Sequence, residues 1–289
     1  MKPWMIVLCI ILIIALIIVI RVIYELHTLD LVNYKIENNK LNENEHKRII
    51  FISDLHLRKY GKNNEKLINL IRMQYPDYIF IGGDMVTASK GKDDTLVYNL
   101  LSELAKITAV YYAFGNHEKK MQVDSLNYNN RFETLKSCID KNGIKLLENN
   151  SINLTDKITL YGLDLDFKYY KKFNIPNLNI DEIKKCLGDL DKNVYNILLA
   201  HSPKHFELYE QLGFNLVLSG HYHGGAVGLG NNKGLISPQF RFFPKYCKGM
   251  FTKNNTNMIV TSGCGTHKVN LRLNNKPEVM VIDIYGHFI

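Results

Sequence analysis

The chain lacks several features that mark common protein classes. Its five cysteines are scattered and form no C-x-x-C pair, which argues against a thiolate zinc site and a tight disulfide scaffold. Its lysines form no long basic block, so the net charge of +8 predicts a generally basic surface rather than a dedicated nucleic-acid patch. Such a surface also suits anionic lipid headgroups or phosphate-bearing substrates. No internal repeat is evident, and 46% of the 289 residues are hydrophobic, which is enough for a sizeable core.

The chain begins with an apolar segment. The run from Trp4 to Ile20 contains no charged residue and reaches the length of about 17 residues that a membrane-spanning helix needs. No small-x-small cleavage pattern follows it. We therefore interpret residues 1–24 as an uncleaved, single-pass anchor in the cell membrane, with a cleaved signal and a buried core helix as the alternatives. The flanking charges set orientation weakly, but a short N-terminal tail usually stays inside, which predicts an extracytoplasmic catalytic domain.

The remainder of the chain alternates between strand and helix patterns. Residues 25–48 are largely polar and predict either a tether or an entry strand with a loop. Strands are predicted at 49–53, 78–81, 109–114, 145–147, 151–154, 158–163, 195–200, 216–219, 258–262 and 278–284, and helices at 64–73, 94–106, 128–141, 180–187 and 204–212. The early βαβ pattern followed by β-rich pieces predicts an α/β sandwich of two sheets with outer helices, in one domain over residues 49–289.

Residue types that bind metals recur directly after five of the predicted strands. They are Asp54 and His56, then Gly83-Asp84, then Asn116-His117-Glu118, then His201, and finally His221 and His223. Taken singly, Asp54, Asp84, Asn116 and His201 are more typical of a turn or a buried histidine than of a metal ligand, whereas the His-x-His pair after Gly220 is as typical of a metal site. Because an α/β sheet holds its ligand crevice at the carboxyl ends of its strands, the five clusters in this order indicate one shared site.

The mixture of carboxylate, amide and imidazole groups suits Mn, Fe, Zn or Co better than Ca or Mg alone. Asp54, His56, Asp84, Asn116, His201, His221 and His223 are too many ligands for one tetrahedral ion, but they fit two ions that share a carboxylate. Asp84 is the candidate bridge. Two ions about 3.5–4 Å apart can clamp a phosphate and activate water to attack phosphorus.

His117 is not expected to be a ligand, because it directly follows Asn116 and its side chain should point differently. An imidazole beside the phosphate can protonate the leaving oxygen or stabilise phosphoryl charge, so His117 is a candidate catalytic residue together with Asp84. Glu118 either orients His117 or caps the following segment. Further candidates for substrate contacts are Asn116, Arg58, Arg272 and His267.

The motifs D-x-H, G-D, G-N-H-E, H and G-H-x-H, in this order, resemble the calcineurin-like metallophosphoesterase family. The run Gly220-His-Tyr-His-Gly-Gly and the tail from Ser262 through Leu271-Arg-Leu to Pro277-Glu-Val are similar to its membrane-anchored bacterial branch. That branch includes cell-wall phosphodiesterase-like proteins and relatives of UDP-2,3-diacylglucosamine pyrophosphohydrolase.

The resemblance implies a four-layered α/β/β/α sandwich with two divalent ions, of which manganese is the first expectation. It assigns Asp54, His56, Asp84 and His223 to one ion, and Asp84, Asn116, His201 and His221 to the other. It also makes His117 the catalytic histidine. The implied function is membrane-anchored hydrolysis of a phosphodiester or pyrophosphate in an envelope or lipid-linked substrate, with UDP-2,3-diacylglucosamine as one such glycolipid.

Two other functions compete with this hypothesis. One is a phosphoesterase-fold binding module without activity, although all seven ligand positions and His117 are present. The other is a nuclease, but the sequence shows no aromatic stacking platform or dense basic stripe. A nucleic-acid partner is therefore not expected, whereas the lipid bilayer is.

Overall fold

The computed structural model describes residues 2–171, 174–230, 232–236, 242–266 and 270–286. The α-helices are α1 (Pro3–His27), α2 (Glu65–Arg72), α3 (Thr95–Ala105), α4 (Asn116–Val123), α5 (Arg131–Lys141), α6 (Ile180–Leu187) and α7 (Phe206–Leu212). Short 3₁₀ turns lie at Lys62–Asn64, Ser125–Tyr128, Phe167–Tyr170 and Pro203–His205. The five helices predicted after residue 48 are all present, with ends that differ by at most a few residues.

The strands form two large sheets and a small hairpin. They are β1 (Asp30–Asn38), β2 (His46–Ile52), β3 (Tyr78–Ile81), β4 (Ala109–Ala113), β5 (Lys145–Leu147), β6 (Asn150–Asn153), β7 (Ile158–Leu163), β8 (Tyr195–Ala200), β9 (Leu216–Ser219), β10 (Gly228–Gly230), β11 (Lys233–Gly234), β12 (Gly249–Lys253), β13 (Thr256–Val260) and β14 (Glu278–Gly286). The first sheet has the order β1-β14-β2-β3-β4-β5 and the second the order β12-β13-β9-β8-β7-β6, while β10 pairs with β11.

The strands that precede the predicted ligands run parallel to one another. In the first sheet β2, β3 and β4 are parallel neighbours, and in the second sheet β8 and β9 are parallel neighbours. Their carboxyl ends therefore lie together within each sheet, which is the arrangement that brings residues distant in sequence to one edge.

The segment 25–48 is not a tether. Of the two alternatives that its composition allowed, the structure has the entry strand, because β1 pairs in parallel with β14 from Asp30 opposite Glu278 onward. Tyr34 and Ile36 of β1 contact the apolar cluster between the sheets. The alternation of apolar residues at 32, 34 and 36 was the signal for this strand. The sheet domain thus starts before residue 49, the predicted boundary.

Helix α4 was not predicted. Of its residues, His117, Glu118 and Met121 are buried, so it has no apolar stripe of the kind that indicates a helix in sequence. Its first turn is held instead by Glu118, whose carboxylate accepts a hydrogen bond of 3.1 Å from the backbone N–H of Gly115. A carboxylate in the first turn also interacts favourably with the helix dipole.

Three apolar clusters join the elements. One contains residues of both sheets, a second combines the first sheet with α2, α3 and α5, and the third combines the second sheet with α6 and α7. Along β2, Ile49 and Phe51 face the cluster between the sheets, whereas Ile50 and Ile52 face the helices, as the two-residue period of a strand requires. The predicted α/β class with two sheets and outer helices is confirmed, and the four-layer order stays a prediction.

Helix α1 stands apart from these clusters. It is 25 residues long, and its most apolar window is 0% buried, so the alternative of a buried core helix is wrong. At 1.5 Å per residue its length is about 37 Å, against about 30 Å for the hydrocarbon core of a bilayer. By length and composition it is able to cross a membrane. Within this helix only Glu25 and Leu26 are buried.

The cluster between the sheets should dominate the stability of the domain. Ile282 of β14 belongs to it and is 0% exposed, so Ile282→Ala should lower the free energy of unfolding by about 2–5 kcal/mol. Leu126→Ala, at a side chain that is 88% exposed, is the control and should change it by less than about 0.5 kcal/mol. Chemical denaturation of the full-length protein in detergent measures both, and equal effects would contradict the packing described.

Candidate metal centre

The predicted clusters meet at one edge of the two sheets. Asp54 and His56 follow β2, Asp84 follows β3, Asn116 begins α4 after β4, His201 follows β8, and His221 and His223 follow β9. Two backbone hydrogen bonds join the turns after β2 and β3, from Asp54 N–H to Gly83 C=O (2.9 Å) and from His56 N–H to Asp84 C=O (3.1 Å). Because β2, β3 and β4 belong to the first sheet and β8 and β9 to the second, both sheets contribute to this cluster of polar groups.

Asp84 lies at the centre of this cluster. Its Oδ2 is 3.3 Å from His201 Nε2 and 3.7 Å from His56 Nε2, while its Oδ1 accepts a hydrogen bond of 2.7 Å from the backbone N–H of His117. A divalent ion lies about 2.0–2.2 Å from each nitrogen or oxygen ligand, so two ligands of one ion are at most about 4.4 Å apart. Asp84 Oδ2 is thus within bridging reach of imidazoles from both sheets.

Asp54 is the second carboxylate of the cluster. Its Oδ1 is 3.2 Å from His223 Nε2 and 3.9 Å from His56 Nε2, and the two imidazole Nε2 atoms are 3.1 Å apart. The groups close enough to hold an ion are Asp54, His56 and His223; Asp84, His201 and His221; and His56, Asp84 and His117. The first two groups contain residues that the family resemblance assigns to separate ions.

The orientation of His201 suits a metal ligand. Its Nδ1–H donates a hydrogen bond of 2.7 Å to the backbone carbonyl of Gly82, so Nε2 is the nitrogen that faces Asp84. A hydrogen bond of this kind fixes the tautomer of ligating histidines. Burial lowers the pKa of His201, but Asp84 and Asp54 outweigh it and raise the pKa to about 10. A proton and a cation therefore compete for Nε2.

The charges of the cluster favour a divalent cation. Burial opposes ionisation of Asp54 and Asp84, yet neighbouring imidazoles hold the pKa of both carboxyl groups below the ordinary value. Burial lowers the pKa of His56, and it lowers that of His221 to about 3, so both imidazoles are neutral and offer a lone pair. Asn116 Oδ1 is buried without a hydrogen-bond partner among the described residues. These donors fit a transition-metal ion.

The backbone of the cluster is strained. Among the described non-glycine residues with positive φ are five predicted ligands: Asp54 (55°), His56 (49°), Asp84 (52°), His221 (70°) and His223 (51°). Such conformations are uncommon and persist where surrounding contacts enforce them. One contact requires a glycine, since a Cβ on Gly220 would lie 2.1 Å from Asp54 Oδ2. Five of the seven predicted ligands therefore have a strained backbone conformation.

His117 faces the same cavity in a different role. Its Nδ1 accepts a hydrogen bond of 2.8 Å from the backbone N–H of Ala88, so the neutral ring carries its proton on Nε2, 4.0 Å from Asp84 Oδ2. A protonated Nε2 has no lone pair for a metal but can donate to a phosphoryl or leaving oxygen. Because His117 also lies within reach of an ion together with His56 and Asp84, its role as a catalytic residue and not a ligand stays a prediction.

Glu118 supports Asp84, a role that sequence reasoning missed. Its buried carboxylate accepts hydrogen bonds from the backbone N–H groups of Asp84 (2.8 Å) and Met85 (3.0 Å) and from the Tyr112 hydroxyl (2.8 Å). Burial and the charge of Asp84 raise the pKa of Glu118 to about 7. Of its two predicted roles, capping of the following segment is present, and Glu118 additionally fixes the strained turn that carries Asp84.

The candidate substrate contacts have different positions. Asn116 and Arg58 line the cavity that also contains the candidate metal ligands. Arg272 does not, and its prediction as a substrate contact is corrected: it is 2% exposed and donates to the backbone carbonyls of Ser262, Gly263, Gly265 and Asn275. It braces the turn that packs on Asp54, because Gly265 N–H donates to Asp54 C=O (2.7 Å). His267 lies outside the described residues.

The cavity has a volume of about 960 Å³ and brings together residues that no motif indicated. Besides Arg58, its basic side chains are Lys59, Lys92, Lys120 and Lys171. Tyr170 and His27, the last residue of α1, also line it. Of these lysines, Lys59 and Lys120 lie close to recognised motifs, three residues after His56 and two residues after Glu118. A cavity with this positive charge beside the candidate metal ligands suits an anionic ligand.

The fold and this cluster define a metal-dependent phosphoesterase. Residues 47–225 match the family model of the calcineurin-like phosphoesterases. The match covers more than half of the chain, so the chain belongs to the calcineurin-like phosphoesterase family. The predicted enzyme class, a metal-dependent phosphoester hydrolase, is confirmed at the level of this family.

Several bacterial relatives are similar over most of the chain. An uncharacterized metallophosphoesterase of Campylobacter jejuni is 27% identical over 247 residues, which are 83% of this chain and 59% of the relative. The chain thus matches less than two thirds of that protein. The uncharacterized metallophosphoesterase YkoQ of Bacillus subtilis is 25% identical over 235 residues (80% and 81%). Phosphodiesterase YaeI of Escherichia coli is 25% identical over 241 residues (82% and 82%).

Metal binding should be visible as stabilisation. A ligand that binds only the folded state adds about 2.7 kcal/mol at a hundred times its Kd, so saturating Mn²⁺ should raise the Tm of the full-length protein in detergent, and chelation should reverse the rise. The Asp84→Asn variant should lose most of this rise in Tm, whereas the control variant Asp156→Asn, at an exposed position, should keep it. Differential scanning fluorimetry measures the rise. The same rise in both variants would exclude Asp84 as a ligand.

Proposed function

We propose that the protein is a membrane-anchored hydrolase that uses two divalent ions to cleave a phosphodiester or pyrophosphate bond in an anionic substrate at the bilayer surface. One observation carries this proposal. A single cavity is lined by candidate ligands such as Asp84, by basic side chains such as Lys120, and by His27 at the end of the apolar helix.

The residues of the cluster suit two ions that share Asp84. Asp54, His56, Asp84 and His223 would hold one ion, and Asp84, Asn116, His201 and His221 the other; manganese is the ion we propose. When bound, such ions polarise the phosphoryl group and make water nucleophilic at neutral pH. His117 would donate its Nε2 proton to the departing or phosphoryl oxygen, with its Nδ1 held by the Ala88 N–H.

The basic side chains of the cavity favour a substrate with more than one negative charge. Arg58, Lys59, Lys92 and Lys171 line the same space as the ligands, which suits a diphosphate or a phosphodiester with a charged neighbour. Since α1 ends at this cavity, a substrate with its lipid tail in the bilayer would reach the metals with its headgroup. UDP-2,3-diacylglucosamine is one such glycolipid. No nucleic-acid partner is proposed.

The proposed activity is tested with full-length protein in detergent and Mn²⁺, first on bis-p-nitrophenyl phosphate and then on lipid-linked pyrophosphates, including UDP-2,3-diacylglucosamine. His117→Ala should reduce kcat by about 10²–10⁴-fold, the typical contribution of a positioned acid. His46→Gln is the control, because His46 pairs with Asp283 (2.8 Å) and does not line the cavity.

Three outcomes would contradict the proposal. Full metal occupancy without turnover of any substrate would indicate a binding module. Cleavage of DNA with salt-sensitive affinity, in preference to the lipid-linked substrates, would indicate a nuclease. Equal activity of His117→Ala and the wild type would remove His117 from the reaction.

We also propose that the domain lies outside the cytoplasm, because an envelope or lipid-linked substrate at the outer face of the bilayer would then reach the cavity that His27 lines at the end of α1. Protease added to spheroplasts should therefore digest the domain without lysis. Digestion only after lysis would place the domain in the cytoplasm.

A further inference from the structure

The carboxyl end of α1 is linked by buried hydrogen bonds to the loop that carries the candidate metal ligand His223. Glu25 is 0% exposed, although the residues before it in α1 are exposed or half-buried. Its Oε2 accepts a hydrogen bond of 2.9 Å from the backbone N–H of Asn275, and its Oε1 accepts one of 2.6 Å from Arg21 Nε. A buried carboxylate persists only when it is paired in this way, so Glu25 fixes the helix end to the segment around Asn275.

Asn275 in turn holds the loop that carries His223. Its side-chain amide donates to the backbone carbonyls of His223 (2.6 Å) and Gly225 (2.5 Å), which uses both amide protons. Between these carbonyls, Gly224 has a φ of +65°, and a Cβ there would lie 2.3 Å from Asn275 Oδ1. The two hydrogen bonds therefore hold the loop against Asn275, and the contact is too close for a side chain at residue 224.

The clamp is needed because His223 is strained. Its φ is 51°, a conformation that surrounding contacts must enforce in a non-glycine residue. In this conformation His223 Nε2 lies 3.2 Å from Asp54 Oδ1 and 3.1 Å from His56 Nε2. Relaxation of the loop would move the imidazole away from these two groups.

A second contact joins the helix end to the segment that follows His56. Arg58 donates a hydrogen bond of 2.5 Å to the backbone carbonyl of Leu26, one of the carbonyls that a helix leaves unsatisfied at its carboxyl end. The end of α1 thus contacts the chain next to His56 through Arg58 and next to His223 through Asn275. These are the two imidazoles that face each other across the first predicted ion site.

We infer that Glu25 and Asn275 are positioning residues, through which the docked end of the membrane helix holds His223 in place to bind metal. The inference rests on the metal binding proposed above but not on turnover. It assigns the apolar helix a role besides anchoring: the affinity of the centre for its ion depends on how the helix end is seated.

The test is isothermal titration calorimetry, in which full-length protein in detergent is titrated with Mn²⁺ and the affinity is obtained from the heat of binding. Groups that orient a metal ligand typically contribute 10–100-fold to affinity, so Asn275→Ala should weaken binding by about that factor. Glu25→Ala should weaken it in the same direction, because the Asn275 N–H loses its acceptor. Glu25→Gln keeps an oxygen acceptor and should restore affinity close to that of the wild type.

Matched controls separate positioning from general destabilisation. Asn69→Ala and Glu43→Ala change exposed side chains and should leave the affinity unchanged. The Tm of each variant in chelator reports stability without metal. A lower Tm with unchanged affinity would mean that Glu25 and Asn275 merely stabilise the fold, which overturns the inference. If Asn275→Ala does not fold, Asn275→Ser replaces it, since serine is too short to reach both carbonyls.

The inference and the proposed function fail in different ways. If the wild type binds Mn²⁺ and both alanine variants bind within about twofold of it, far from the loss expected for a group that orients a ligand, the inference is wrong and the proposed function stands. If the wild type binds no divalent ion, both are wrong.

Discussion

Two buried carboxylates set the conditions for the rest of the site. Asp54 and Asp84 are 0% and 2% exposed, and ionised groups in such a position are costly unless they are paired or coordinate a metal. The groups around them are mostly imidazoles, which are neutral where burial dominates, as in His56 and His221. His201, whose pKa Asp84 and Asp54 raise to about 10, supplies one positive charge for two carboxylates. A divalent ion that displaces its proton would satisfy both carboxylates better.

The convergence of the ligands depends on turns that the backbone does not adopt readily. Three of these loops have separate supports. Glu118 accepts a hydrogen bond from the backbone N–H of Asp84, and the carboxylate of Asp54 accepts one from the backbone N–H of His221 (3.1 Å). Asn275 donates to the backbone carbonyl of His223. Because these supports are themselves buried, the loops have little freedom to relax. The strain is thus maintained by the core and not by the ions alone.

The sequence indicated which candidate ligands would meet, and it was less informative about the residues that support them. Asp54, Asp84, His201 and the other ligands follow apolar strands, and the meeting of parallel strand ends needs no knowledge of distant contacts. The contact of Asn275 with Glu25 joins residues that are 250 positions apart, and no local pattern indicates it. Arg272 was interpreted as a substrate contact because it lies in the tail that is similar to the membrane-anchored branch, whereas here its buried guanidinium donates to backbone carbonyls.

The contacts at the end of α1 connect the candidate metal site to the helix that we propose as the membrane anchor. Only two residues separate the end of α1 at His27 from the start of β1 at Asp30, and Glu25 is buried against Asn275. The helix axis and the cavity therefore have a fixed relation, because the contacts at Leu26 and Glu25 leave no free segment between them. If α1 is the anchor that we propose, a rigid junction of this kind would keep the mouth of the cavity close to the plane in which the helix leaves the bilayer. It also means that removing the helix end would expose the buried network that links Glu25 and Asn275 to His223, whether or not the helix spans a membrane.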